Sequence, residues 1–160
     1  MKKLVILGQK RSGMGAARLG AKQGYSVLLS EMNEITEENK IALDSWGVIY
    51  EEYGHTLEKM LDADVIVRSP GIPDKAPIIK ELRKKGKEII SEIEFASWFT
   101  NAIIIAITGS NGKTTTTSLT YDMFHKAGYK VALGGNIGIS FAELVADDNE
   151  YDYYFFHRIT

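Results

Sequence analysis

Short apolar runs rich in valine, isoleucine and leucine alternate along this chain with amphipathic stretches whose apolar residues recur every three or four positions. Runs of the first kind suit parallel strands buried on both faces, and stretches of the second suit the helices that cover them. The pattern predicts strands over residues 4–7, 27–29, 48–50, 65–67 and 88–90. It predicts helices over 13–23, 36–46 and 76–85, closed by Gly24, Gly47 and Gly86. Thr36 and Asn39 make only part of a capping box, so the second helix has a weakly marked start. Pro70 and Pro73 keep 69–74 irregular. Such alternation closes through right-handed crossovers into an open, doubly wound parallel sheet, which binds ligands beyond the carboxyl ends of its strands. Gly8, Glu31 and Ser69 fall at that edge.

After Trp98 the alternation restarts. A strand over 102–107 runs into Thr108-Gly109-Ser110-Asn111-Gly112-Lys113-Thr114, and a helix over 113–126 stops at Gly128. A strand to Leu133, a Gly134-Gly135-Asn136-Ile137-Gly138 turn, a short helix and a last strand near Tyr153 follow. The expected class is therefore α/β: a Rossmann-like doubly wound parallel sheet over 1–100, then over 101–160 the beginning of a P-loop ATP-binding α/β domain. Three strands are too few to complete such a domain.

The glycine-rich turn between strand and helix is the strongest chemical signal. Its backbone N–H groups and the positive end of the helix suit phosphates. Lys113 is placed to reach the β and γ phosphates, and the Thr114 hydroxyl to bind Mg²⁺. Two residues, not four, separate the glycines, which points to a narrower family than phosphate-loop NTPases in general. Residues 115–117 of the threonine run are expected to face the sheet. A second loop, Gly8-Gln9-Lys10-Arg11-Ser12-Gly13-Met14-Gly15, resembles a dinucleotide-binding fingerprint whose middle glycine is replaced by Lys10, which argues against ordinary NAD binding. Glu31 is placed to meet a ribose or base, or else is an exposed loop carboxylate.

Charge and composition narrow the classes. Lys plus Arg number 19 against 21 Asp plus Glu, a net charge of −2, so no cationic surplus draws nucleic acid. The absence of cysteine excludes disulfides and thiolate chemistry and fits a cytoplasmic protein. The apolar run after Lys2-Lys3 stops at Gly8, as in a first strand and not an export signal, and nothing approaches the roughly 20 apolar residues of a membrane span.

With Gly109-Ser110-Asn111-Gly112-Lys113-Thr114-Thr115 in place, the chain resembles the Mur ligases, which join amino acids to UDP-N-acetylmuramic acid. Ser69-Pro70-Gly71-Ile72-Pro73, Ser91-Glu92-Ile93-Glu94, Ile107-Thr108-Gly109 and Gly134-Gly135-Asn136-Ile137-Gly138 follow in the order and spacing of the D-glutamate-adding branch, over residues 1 to about 154. The resemblance implies ATP and Mg²⁺ as cofactors, with UDP-N-acetylmuramoyl-L-alanine and D-glutamate as substrates. The γ-phosphate would activate the substrate carboxylate as an acyl phosphate, which D-glutamate's amine attacks.

Carried over position by position, it implies ATP contacts from Gly109, Ser110, Asn111, Gly112, Lys113, Thr114 and Thr115. Lys113 would be the catalytic cation and Thr114 the Mg²⁺ ligand. UDP-substrate contacts would come from Gly8, Ser12, Gly13, Met14, Glu31, Ser69, Gly71 and Asn136. Lys10 and Arg11 depart from the residues usual in the family. So does the end, where Tyr151 to Thr160 do not continue into the family's metal-binding Glu-Leu-Ser-Ser-Phe-Gln. The chain is therefore expected to lack the carboxy-terminal domain that reads D-glutamate and to have no turnover alone. The family implies a monomer, while an unfinished sheet leaves edges at which copies can associate.

The alternatives are an isolated UDP-sugar or nucleotide-binding module, a Mur ligase for another amino acid such as L-alanine, and a folylpolyglutamate synthase. The last begins at its ATP domain, whereas about 100 residues precede the loop here. His55, His125 and His157 are read as surface or capping histidines, Tyr151, Tyr153 and Tyr154 as sheet-packing residues, and the basic run over 83–87 as a solvated helix face.

Overall fold

Five strands, β1 (Lys3–Leu7), β2 (Ser26–Ser30), β3 (Ile49–Glu51), β4 (Val65–Arg68) and β5 (Ile89–Ser91), pair in parallel in the order β3-β2-β1-β4-β5. This order comes from a computed structural model that describes residues 1–135, 139–147 and 149–157. The order reverses between β1 and β4, and in doubly wound sheets that reversal opens a crevice at the carboxyl ends. β1 is sealed on both faces, with Leu4 to Leu7 fully buried, which is why it reads as an unbroken apolar run.

Helices α1 (Arg11–Lys22), α2 (Glu37–Ser45) and α3 (Pro77–Lys84) cover the sheet close to their expected positions. The glycines expected to close them, Gly24, Gly47 and Gly86, all have positive φ. Thr36 is the N-cap of α2, its hydroxyl accepting from Asn39 N–H at 3.4 Å. Two features are absent from the pattern-based expectation: a single 3-10 turn at Leu57–Lys59 and the six-residue helix α4 (Glu92–Ser97). Ser91 caps α4 by accepting from Glu94 N–H at 3.1 Å.

A second parallel sheet of β6 (Ile103–Ile107), β7 (Val131–Gly135) and β8 (Tyr153–His157) has the order β6-β8-β7, flanked by α5 (Lys113–Lys126) and α6 (Phe141–Ala146). Tyr154, Phe155 and Phe156 of the central strand are buried; Phe155 meets Phe124 edge-on at 5.1 Å between ring centroids. On its outer side, Leu119 and Met123 of α5 and Ile103 of β6 are exposed.

The two sheets share one hydrophobic cluster. It runs from Leu4, Ile6 and Leu19 through Phe95 and Ala96 of α4 to Phe141, Leu144, Tyr154 and Phe156. Burying Phe95 and Phe141 contributes about 1.5–3 kcal/mol each. Helix α6 lies against α1, where a Cβ on Gly15 would fall 2.0 Å from Ser140 Oγ. At its end, Lys22 Nζ donates to the Ala146 carbonyl at 2.6 Å and Arg18 pairs with Asp147 at 2.7 Å. No helix among the described residues is long and apolar enough to cross a membrane.

Candidate functional site

The crevice at the strand-order reversal is a cleft of about 290 Å³. Gly8, Glu31, Ser69 and Gly71 line it, as do Lys10 and His55, with Met32, Ile72, Pro73 and Ile78 as apolar walls. The loop after β1 is fixed in several ways. Gly8 N–H donates to the Ser30 carbonyl at 2.9 Å, and Thr36 N–H donates to the Gln9 side chain at 3.1 Å. A Cβ on Gly13 would sit 1.8 Å from the Gly8 carbonyl oxygen, so only glycine lets α1 begin this close to β1. Ser69 Oγ, buried at the end of β4, faces the same carbonyl at 3.4 Å.

Ser12 and Gly13 stand in the first turn of α1, whose N–H groups lack intrahelical partners and point outward as anion donors. Met14 packs against the core cluster. Lys10, where a dinucleotide fingerprint has its middle glycine, is the N-cap of α1 and carries a cation into the cleft.

Glu31 is not an exposed loop carboxylate. It is buried, and it accepts from Gln9 N–H at 2.9 Å and Asn33 N–H at 3.0 Å, joining the loops after β1 and β2. His55 corrects a second expectation: it lines the cleft, with Nδ1 2.7 Å from Ser30 Oγ. Pattern reading missed it because its partner lies 25 residues away. The usable signal was the parallel register that sets Ser30 beside Glu51 at the ends of β2 and β3. His125 is exposed and stacked on Tyr121. The side chain of His157, and Asn136, lie outside the described residues.

The phosphate loop joins β6 to α5. Gly112, with φ +74°, is the N-cap of α5, which starts at Lys113. Lys113 Nζ donates to the carbonyl of Gly109 and, at 3.4 Å, of Ser110, so its charge is turned into the loop mouth. Ser110, Asn111, Thr114 and Thr115 are exposed around it. The expectation that 115–117 face the sheet holds only for Thr117, which is buried with Oγ1 donating to the Lys113 carbonyl at 2.7 Å; Thr115 and Thr116 are exposed. A helix start with outward N–H groups, an αL glycine and an inward lysine fits a phosphate chain. Among the described residues no cluster of three or more acidic or histidine side chains could hold a metal. The donor set suits Mg²⁺ carried on phosphates and touched by one hydroxyl, the usual way Mg²⁺ is held beside nucleotides.

A family profile described as the MurD N-terminal domain matches residues 4–78, and one described as the Mur ligase middle domain matches 107–156. The chain belongs to the Mur ligase family. Among its relatives, UDP-N-acetylmuramoylalanine–D-glutamate ligase of Bacteroides fragilis is 52% identical over 154 residues, covering 96% of this chain and 34% of that protein. The enzyme of the same name from Salinibacter ruber is 47% identical over 152 residues, covering 92% and 33%. The chain thus spans about a third of the length of these relatives. Among solved structures, the murein peptide ligase of Psychrobacter arcticus superposes with a TM-score of 0.62 at 22% identity over 99% of this chain and 38% of that one, a likeness of fold. The type C pseudomurein peptide ligase of Methanothermus fervidus gives 0.59 at 25% identity, over 96% and 32%.

Proposed function

We propose that this Mur ligase chain is part of an ATP-dependent enzyme that adds D-glutamate to UDP-N-acetylmuramoyl-L-alanine in the cytoplasmic phase of peptidoglycan synthesis. The observation that carries the reading is the pairing of a preformed cleft at the strand-order reversal with a phosphate loop of Mur type on a second sheet. Residues 1–100 hold the UDP substrate. Gly8, Ser12, Gly13 and Met14 lie along the diphosphate with Lys10 as counter-charge, Glu31, Ser69 and Gly71 around the uridine, and Asn136 toward the phosphates. Residues 101–160 begin the ATP site, with Gly109 to Thr115 around the phosphates, Lys113 as the cation facing the transferring group and Thr114 beside Mg²⁺.

ATP with Mg²⁺ supplies the phosphoryl group that activates the substrate carboxylate. Lys113 offsets charge on that group, and holding the two sites in one body aligns the reactants. The names of the relatives favour D-glutamate over another amino acid.

Calorimetric titration of the chain with UDP-N-acetylmuramoyl-L-alanine, UDP-N-acetylglucosamine and UDP tests this. Binding of the muramoyl compound at least as tightly as UDP supports the reading, and binding of none of the three removes it. ADP release with both substrates and ATP is expected to stay at background, and turnover above it would show that 160 residues suffice.

A further inference from the structure

Helix α6 begins with backbone donors that it cannot satisfy by itself. Ser140, its N-cap, accepts from Glu143 N–H at 3.2 Å. Ala142 N–H leaves the second sheet altogether and donates to the carboxyl of Glu92, on α4. Glu92 is buried, and among the described residues it pairs with no cation. Taking a carboxyl out of water for one backbone donor costs more than that bond returns, so packing alone does not account for an acid here.

The start of α6 meets the first sheet at a second point. A Cβ on Gly15 would fall 2.0 Å from Ser140 Oγ and 3.2 Å from Glu143 N, so α6 begins in close contact with α1, two residues beyond Gly13. Further along, α6 leans on β7, where a Cβ on Gly134 would come 2.7 Å from Leu144 Cδ1. β7 pairs through β8 with β6, the strand that enters the phosphate loop. Helix α6 is therefore seated between the turn that opens the cleft and the sheet that carries the phosphate loop.

We propose that Glu92 is a positioning residue that couples the two ligand sites: by holding Ala142 N–H it ties the start of α6 to the first sheet, so that a ligand steadying the start of α1 also steadies the second sheet. Glu92 does not line the cleft and acts through α6. Coupling of this kind needs a contiguous packed route, which α1, α6 and β7 supply. The inference rests on the reading of the cleft as the UDP-substrate site.

The test is amide hydrogen exchange of the whole chain, read by mass spectrometry with and without saturating UDP-N-acetylmuramoyl-L-alanine, for the wild type, Glu92→Gln and Glu92→Leu. In the wild type the ligand is expected to slow exchange around the cleft, over residues 5–17, and also in α6, over 141–147, by about tenfold, an ordinary strength of coupling between sites. This arm does not depend on any variant folding. Glu92→Gln, which keeps an oxygen for Ala142 N–H, is expected to retain the slowing in both regions. Glu92→Leu keeps the bulk and removes the acceptor; it is expected to retain the slowing over 5–17 and to lose it in α6, to less than about twofold. A residue that served packing alone would leave the α6 response in place. Slowing confined to 5–17 in the wild type, an α6 response that survives in Glu92→Leu, or one lost in Glu92→Gln overturns the role of Glu92 while leaving the UDP-substrate site standing. Failure of the wild type to bind the muramoyl compound overturns both.

Discussion

Glu92 shows how one side chain links pH to the join between the sheets. It is the first residue of α4, buried at 5% exposure, and it accepts from Ala142 N–H in the first turn of α6. Burial drives its pKa up to about 7, with the Ala142 hydrogen bond only partly opposing. A carboxyl raised in the fold contributes stability that is fully present below its unfolded value near 4.5 and is lost as pH rises through about 7. The swing is about 3 kcal/mol. Glu92→Gln, which keeps an oxygen for Ala142 N–H, is therefore expected to melt near the wild type at pH 5 and clearly above it at pH 8. Parallel melting curves across that range would contradict the assignment. His55 and Glu51, whose pKa values are lowered in the fold, titrate in the opposite sense, but they are common to both proteins and cancel in the comparison. None of this was legible in Ser91-Glu92-Ile93-Glu94, because Glu92 meets Ala142 only once α6, 50 residues on, is folded against it.

At the scale of elements, the doubly wound parallel class and most boundaries could be read directly, whereas the strand order β3-β2-β1-β4-β5 came only with the structure. Parallel strands buried on both faces leave an unbroken apolar signature, as in Leu4 to Leu7 and Val65 to Val67. The bounds of α5 were legible because the phosphate loop supplies its start and Gly128 its stop. Helix α4 was missed because six residues show too little of a 3.6-residue period, although Ser91 with Glu94 is a capping pair that marks its start.

Nor does the sequence disclose that α6 packs on α1, since that contact depends on Gly15 leaving room for Ser140. Gly15→Ala, whose Cβ would lie 2.0 Å from Ser140 Oγ and 3.2 Å from Glu143 N, is expected to lower stability by about 1–3 kcal/mol. Denaturant unfolding reads this out; an unchanged midpoint would show that α6 does not depend on the close approach.

For the molecule as a whole, the shared cluster from Leu4 to Phe156 predicts that both sheets unfold in one transition. Two calorimetric transitions would separate them. Among the described residues the second sheet has three strands with β6 at its edge, and Ile103, Leu119 and Met123 are exposed on its outer side. Concentration-dependent association is therefore expected in light scattering, and a strict monomer at high concentration would contradict it.

The central claim is that this one chain carries two separate sites, a uridine-nucleotide cleft and a phosphate loop. Titration of the wild type and Lys113→Ala with UDP-N-acetylmuramoyl-L-alanine, then with ATP and Mg²⁺, tests it most directly. The account predicts that the substitution leaves the UDP compound bound with unchanged affinity and weakens ATP at least tenfold, since Lys113 is the one side-chain cation in the loop. Loss of both ligands together, or ATP binding indifferent to Lys113, would contradict it.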